Sequence, residues 1–236
     1  MTNEEFSNGF DTLVSSYMRF KDFDKRESLD SIEFDEYEKS VYLTKAQLEV
    51  VVSFYNGKNQ FGDSFERTEE MRRYLDSLVK TEVLTEPATG TAVSSKSVFY
   101  TLPDDIAFIT LEQATYSEPD TCWDGMTVGV YPVRQDEFDR IRRNPFRGPK
   151  DDRVLRLDSG SSVSELVSEH PVASYLIRYV AKPSPIILED LPNNLSVDGE
   201  STAHECELNP MIHQMILERA VALALNSKRI YTNTTN

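Results

Sequence analysis

The chain is 236 residues long, 39% hydrophobic and 10% aromatic, too apolar for a wholly disordered polypeptide and long enough for one or two domains. Its 40 acids against 25 bases leave a formal net charge of −15, which argues against nucleic acid or an anionic membrane binding through the whole surface. No apolar run approaches the ~20 residues of a membrane span, and the two distant cysteines, Cys122 and Cys206, exclude a disulfide scaffold and favour a reducing compartment.

The opening Met1-Thr2-Asn3-Glu4-Glu5 has neither the basic nor the apolar stretch of a secretory leader, so synthesis inside a cell is expected. The first twenty residues predict an amphipathic helix. Thr2 and Glu5 have capping-box spacing, and Phe6, Phe10, Leu13, Val14, Tyr17 and Met18 recur at helical intervals. Such an aromatic stripe must bury, either on its own core or on a neighbouring subunit; Phe6, Phe10 and Tyr17 are therefore candidate contact residues. Between Glu27 and Glu38 six acids occur with no base, the pattern of a solvated linker or exposed segment.

Thr44 and Gln47 form a second capping box, opening a helix that stops at Asn56-Gly57. Another helix is predicted from about Phe65 to Val79. The period then changes to two, and Val83, the Pro87-Ala88-Thr89-Gly90 turn and Val98-Phe99-Tyr100 read as a hairpin. Two helices and a hairpin describe a winged helix, so a nucleic-acid-binding regulator is the alternative function. The second helix carries nearly balanced charge rather than the basic face that phosphates require.

Ile106 to Leu111 and Met126 to Tyr131 read as paired strands, with turn chemistry at Ser117-Glu118-Pro119-Asp120 and Asp124-Gly125. A short helix follows, acidic at its start and basic at its end, as the helix dipole prefers. Arg140, Arg142, Arg143, Asn144, Pro145, Phe146 and Arg147 lie in the one basic stretch, which Arg153 and Arg156 extend on a predicted strand. Val172 to Val180 is a further strand, and Lys182-Pro183-Ser184-Pro185 demands an extended conformation. Asp190 to Ala203 is a polar loop. The last helix has Asn209 as N-cap and Pro210 in its first turn, and Ile230 to Asn236 is expected to fray.

Catalytic and metal chemistry find little support. His204, Glu205, Cys206 and Glu207, with His213, match no structural zinc spacing. Ser159-Gly160-Ser161-Ser162 lacks the strand and helix of a nucleophile elbow, and none of the nine glycines forms a phosphate loop. Trp123 reads as a cap on a sheet edge. No cofactor is expected, and an enzyme is not favoured.

Tyr131-Pro132-Val133, Asp136-Glu137-Phe138 and Arg143-Asn144-Pro145-Phe146-Arg147-Gly148-Pro149, in that order, resemble a neck or tail ring protein of crAss-like tailed bacteriophages. Tyr175-Leu176-Ile177-Arg178-Tyr179 leading to Pro183-Ser184-Pro185-Ile186-Ile187-Leu188, and Glu205-Cys206-Glu207-Leu208 with Ile212-His213, fit the same family. The resemblance spans Tyr131 to Leu225. It implies a non-enzymatic head-to-tail connector in the virion: a homo-oligomeric ring below the portal, twelve-fold by the same resemblance. Portal and adjacent neck or tail proteins would be its partners, with DNA passing through the lumen and no membrane involved. Synthesis in the host cytoplasm follows.

The fold class expected is α+β: a helical N-terminal part, a central mainly antiparallel sheet and a C-terminal helix. The segments expected are an N-terminal helix with acidic linker (1–40), a winged-helix-like part (41–104), the sheet with the C-terminal helix (105–229) and a polar tail (230–236).

Overall fold

The computed structural model describes residues 1–21, 33–59, 62–160, 162–192 and 194–234. The architecture is α+β, with helices toward both ends and a seven-stranded, mostly antiparallel sheet between them. It divides into two compact units: residues 1–78 with 183–236, and residues 79–182.

In the helical unit, α1 (Asn3–Lys21) is capped as its sequence predicts. The Thr2 amide donates to Glu5 Oε2 at 2.9 Å, and the Glu5 amide donates to Thr2 Oγ1 at 3.3 Å. Phe6, Phe10 and Val14 form a buried stripe, with the Phe6 ring 5.3 Å from that of His213 and Phe10 edge-on to Phe34 at 5.4 Å. The intrachain alternative therefore holds for Phe6 and Phe10, both 0% exposed, whereas Tyr17 is 52% exposed. Residues 22–32, most of the expected tether, lie outside the described residues.

Helix α2 (Glu36–Asn56) starts eight residues before Thr44, with the Asp35 carboxylate accepting from the Glu38 amide at 2.6 Å. The end of the supposed acidic linker is thus a helix start, where carboxylates are favoured by free amides and the dipole. The early turns were hidden because their buried positions are polar. Lys39 is buried and pairs with Asp11 at 2.7 Å and Glu36 at 2.9 Å. Burial pulls the Lys39 ammonium pKa down, but the hydrogen bonds and charges of Asp11 and Glu36 outweigh that and leave it raised.

Thr44 and Gln47 are not a capping pair. With Ser40 they occupy spacing i, i+4, i+7 on one helix face and bind the extended Pro-Ser-Pro segment. Leu188 N donates to Ser40 Oγ (3.0 Å), Ile186 N to Thr44 Oγ1 (3.1 Å), and Gln47 Nε2 to the Ser184 carbonyl (3.2 Å). Helix α3 (Glu69–Tyr74) is shorter than predicted because Thr68 caps it, accepting from Met71 N. Asn209 caps the C-terminal helix through a short 3-10 turn at Pro210–Ile212, and α5 (His213–Thr234) runs on into the stretch expected to fray, whose last two residues lie outside the described ones.

The sheet unit contains β1 (Val79–Leu84), β2 (Ser97–Thr101), β3 (Ile106–Tyr116), β4 (Thr127–Pro132), β5 (Arg153–Asp158), β6 (Val163–Val167) and β7 (Val172–Ala181), in the order β1-β7-β3-β4-β5-β6-β2. All neighbours are antiparallel except β4 and β5. β3 and β4 pair, but through Gln113–Thr115, while the Ile106–Leu111 stretch expected to make that pair lies against β7; the β1–β2 hairpin does not form. β1 pairs with β7 and β2 with β6, at opposite ends of the strand order, so the sequence from Thr44 to Tyr100 makes no wing.

The sheet curls, bringing Tyr100 of β2 within 5.6 Å of the Tyr175 ring of β7. Tyr100, Tyr116, Tyr175, Ile177, Val130 and Leu166 contribute to the core on its inner face. On the outer face a short helix, α4 (Phe138–Arg142), lays Phe138 onto Leu155, Leu157 and Val167.

Candidate functional site

The basic stretch is an exposed turn built on α4. Arg140 and Arg142 pair with Glu137 and Asp139, each three residues earlier. After Arg143 the chain reverses: the Gly148 amide donates to the Asn144 carbonyl at 2.8 Å, and the Phe146 amide to Asn144 Oδ1 at 2.8 Å. Glycine is required at 148, since a Cβ there would sit 2.9 Å from the carbonyl oxygens of both Arg142 and Asn144. The turn holds Phe146 80% exposed.

It is also fastened to the sheet. Arg153 Nη1 donates to the Phe146 carbonyl at 2.6 Å, while its guanidinium lies 5.1 Å from the centroid of the half-exposed Tyr131 ring. Lys150 Nζ is 5.8 Å from the Phe146 centroid. Two exposed aromatics are thus cross-braced by cations, an arrangement that lowers the entropy lost on docking. Arg143 and Arg147 make no ion pair with the described residues, and Asn144 and Pro145 shape the turn.

Arg156 leaves the patch. Three residues after Arg153 it faces the inner side of the curl and pairs with Glu112 at 2.8 Å, the Tyr175 hydroxyl donating to the same carboxylate. Of the aromatic candidates in the helical unit, Phe6 and Phe10 are interior and only Tyr17 remains available for contact.

Two features escaped the sequence. The first is a groove of about 660 Å³ on the outer face of β5 and β6. Leu157, Val163 and Glu165 line it with Phe138 and Asp139 on the α4 side and Thr89 to Val93 opposite. Gly90 lets that loop press on the sheet, for a Cβ would meet the Phe99 ring at 2.5 Å. Glu165 is 2% exposed, its Oε1 accepting from the Val93 amide at 2.8 Å.

The second is a histidine clamp. His170 Nδ1 lies 2.6 Å from Glu118 Oε2 and Nε2 lies 3.0 Å from Asp151 Oδ1, with Trp123 stacked on the ring at 4.8 Å. Burial pulls the His170 pKa down, but the two carboxylates more than compensate and raise it. The clamp joins three connections that are remote in sequence.

Near the helical unit's histidines, burial pushes the Cys206 thiol up to about 11, the reverse of an activated nucleophile. Among the described residues no group of three or more His, Cys, Asp or Glu side chains is placed to hold a metal.

The model of the phage tail ring protein 3/4 family matches residues 1–236. This chain belongs to that family. It is 48% identical over 231 residues to ring protein 3 of Bacteroides phage crAss001, covering 97% of this chain and 96% of the relative. It is 32% identical over 235 residues to ring protein 4/5 of the same phage, covering 95% and 92%. The match includes the N-terminal half, beyond the Tyr131–Leu225 stretch that carries the resemblance in sequence motifs. The chain is a structural ring protein of the phage tail class.

Proposed function

We propose that this protein closes into a homo-oligomeric ring in the neck or tail, below the portal, and that DNA crosses its lumen without being read. The single observation that supports this most is the family match along the whole chain. The exposed, braced Phe146 turn supplies the kind of arginine-rich aromatic anchor that interfaces favour. The higher identity to ring protein 3 than to ring protein 4/5 favours the role of the former. A net charge of −15 suits a conduit, because like charge discourages DNA from adhering. The role is non-enzymatic, with synthesis in the host cytoplasm and final residence in the virion.

Sedimentation velocity of the purified chain tests this reading. A discrete species at twelve times the 27.0 kDa subunit mass is expected, unchanged by added duplex DNA. A concentrated protein that stays monomeric and shifts DNA would instead favour the nucleic-acid-binding alternative.

A further inference from the structure

We propose that the Phe146–Arg147 turn of one subunit docks into the Glu165 groove of the next copy, making the head-to-tail contact of the ring. This rests on the ring reading above and specifies which two surfaces meet.

Glu165 carries the argument. It is a carboxylate 2% exposed, yet it lines an open groove. One oxygen accepts from the Val93 amide, and the other has no hydrogen-bond partner among the described residues. The second oxygen opens to the groove, where a guanidinium offers the matching fork of donors. Asp139 on the groove wall is a second carboxylate, paired with Arg142 at 3.7 Å in the same subunit. Phe138, Leu157, Val163 and Val93 give the groove an apolar part that fits a ring, beside a polar part from Gln135, Ser159 and Thr91. The volume of about 660 Å³ lies within the roughly 300–1,000 Å³ typical of binding pockets.

The complementary chemistry occurs in the same chain. Phe146 is the most exposed large hydrophobic side chain among the described residues, and Arg143 and Arg147 flank it. Residues at the start of α4, Phe138 and Asp139, line the groove, and the knob follows the end of α4. The turn is fastened to β4 and β5 through Tyr131 and Arg153, while the groove extends over β6 toward the loop that covers β2. A ring needs two different surfaces, because a heterologous contact closes by rotation whereas a self-complementary patch stops at a dimer.

The test pairs cysteines at Val93 and Pro145, which leaves Phe146 and the Val93 amide in place, in a Cys122→Ser, Cys206→Ser background, treated with a short bis-maleimide at protein concentrations where sedimentation shows rings. A ladder of covalent oligomers beyond the dimer is expected, absent from either single-cysteine control. Rings without a ladder would overturn the docking while leaving the ring reading intact. Cross-linking that ends at the dimer would overturn it in favour of a two-fold contact, and a chain that never oligomerises would overturn both. Glu165→Gln, which keeps the Val93 hydrogen bond and removes the charge, and Arg147→Glu should each weaken ring association at least tenfold while the isolated subunit still melts cooperatively. Unchanged association in both would count against the proposal.

Discussion

Two aromatic elements, α1 and the Phe146 turn, look alike as charged, Phe-containing stretches of an acidic chain, and the structure treats them oppositely. In α1 Phe6, Phe10 and Val14 follow one another every four residues, so one helix face is continuous and packs against α5 in the same unit, leaving Phe6 and Phe10 without exposed surface. In the turn a single phenylalanine is held out by an Asn144 cap and a glycine that no larger residue could replace. A periodic apolar stripe finds a partner within its own chain, while a lone aromatic on a braced turn is offered to another molecule.

The comparison breaks most visibly at Phe10 and Phe146. Phe10→Ala should destabilise the chain by about 3–5 kcal/mol in urea unfolding, the usual range for emptying an aromatic core site. Phe146→Ala should stay within about 0.5 kcal/mol of the parent, as exposed substitutions do. A comparable loss from both would mean that the turn is part of the fold rather than a contact. A smaller effect is expected at Lys39, where Asp11 and Glu36 are partly exposed and regain water when their partner is removed. Lys39→Ala should cost about 1.5–3 kcal/mol, read as a shift of the urea midpoint at unchanged slope.

The smallest effects sharpen the contrast between the units through their histidines. His213, in the helical unit, has its pKa lowered: burial lowers it, the Leu208 carbonyl hydrogen bond raises it, and the nearby amino terminus lowers it further. His170, in the sheet unit, is raised by its two carboxylates despite burial. The linkage therefore has opposite signs. The contribution of His213 is present above the unfolded pKa of about 6.5 and is lost as pH falls through the folded value. That of His170 is present below about 6.5 and is lost as pH rises through its folded value. Melting temperature followed across this window should lose its alkaline decline in His170→Gln and its acid decline in His213→Gln. Identical profiles in the two variants would show that neither environment acts as described.

Much of the helical framework was legible because its signals are local. The Thr2–Glu5 box, the Asn209–Pro210 start and the i, i+4 aromatic spacing each operate within one or two turns. The early start of α2 was not legible, since Lys39 and Ser40 are buried through partners contributed by Ser7, Asp11 and Leu188. Hydrophobic periodicity cannot register a buried face made of satisfied polar groups. The discontinuous helical unit has the same character, because its closing segment returns more than a hundred residues later.

The amino-acid sequence by itself determined the α+β class, the caps at Thr2–Glu5 and Asn209, the adjacency of β3 and β4, the basic turn and the family, all of which rest on short-range pattern or on motif order. Only the tertiary structure decided that β1 joins β7 and β2 joins β6, that Arg156 turns inward to Glu112 while Arg153 stays outside, and that Glu165 opens into a groove. The physical reason is common to all three. A strand's hydrogen-bonding edge and a carboxylate's surroundings are satisfied by whichever segments the curled sheet brings together, and nothing in the residues beside them names those segments in advance.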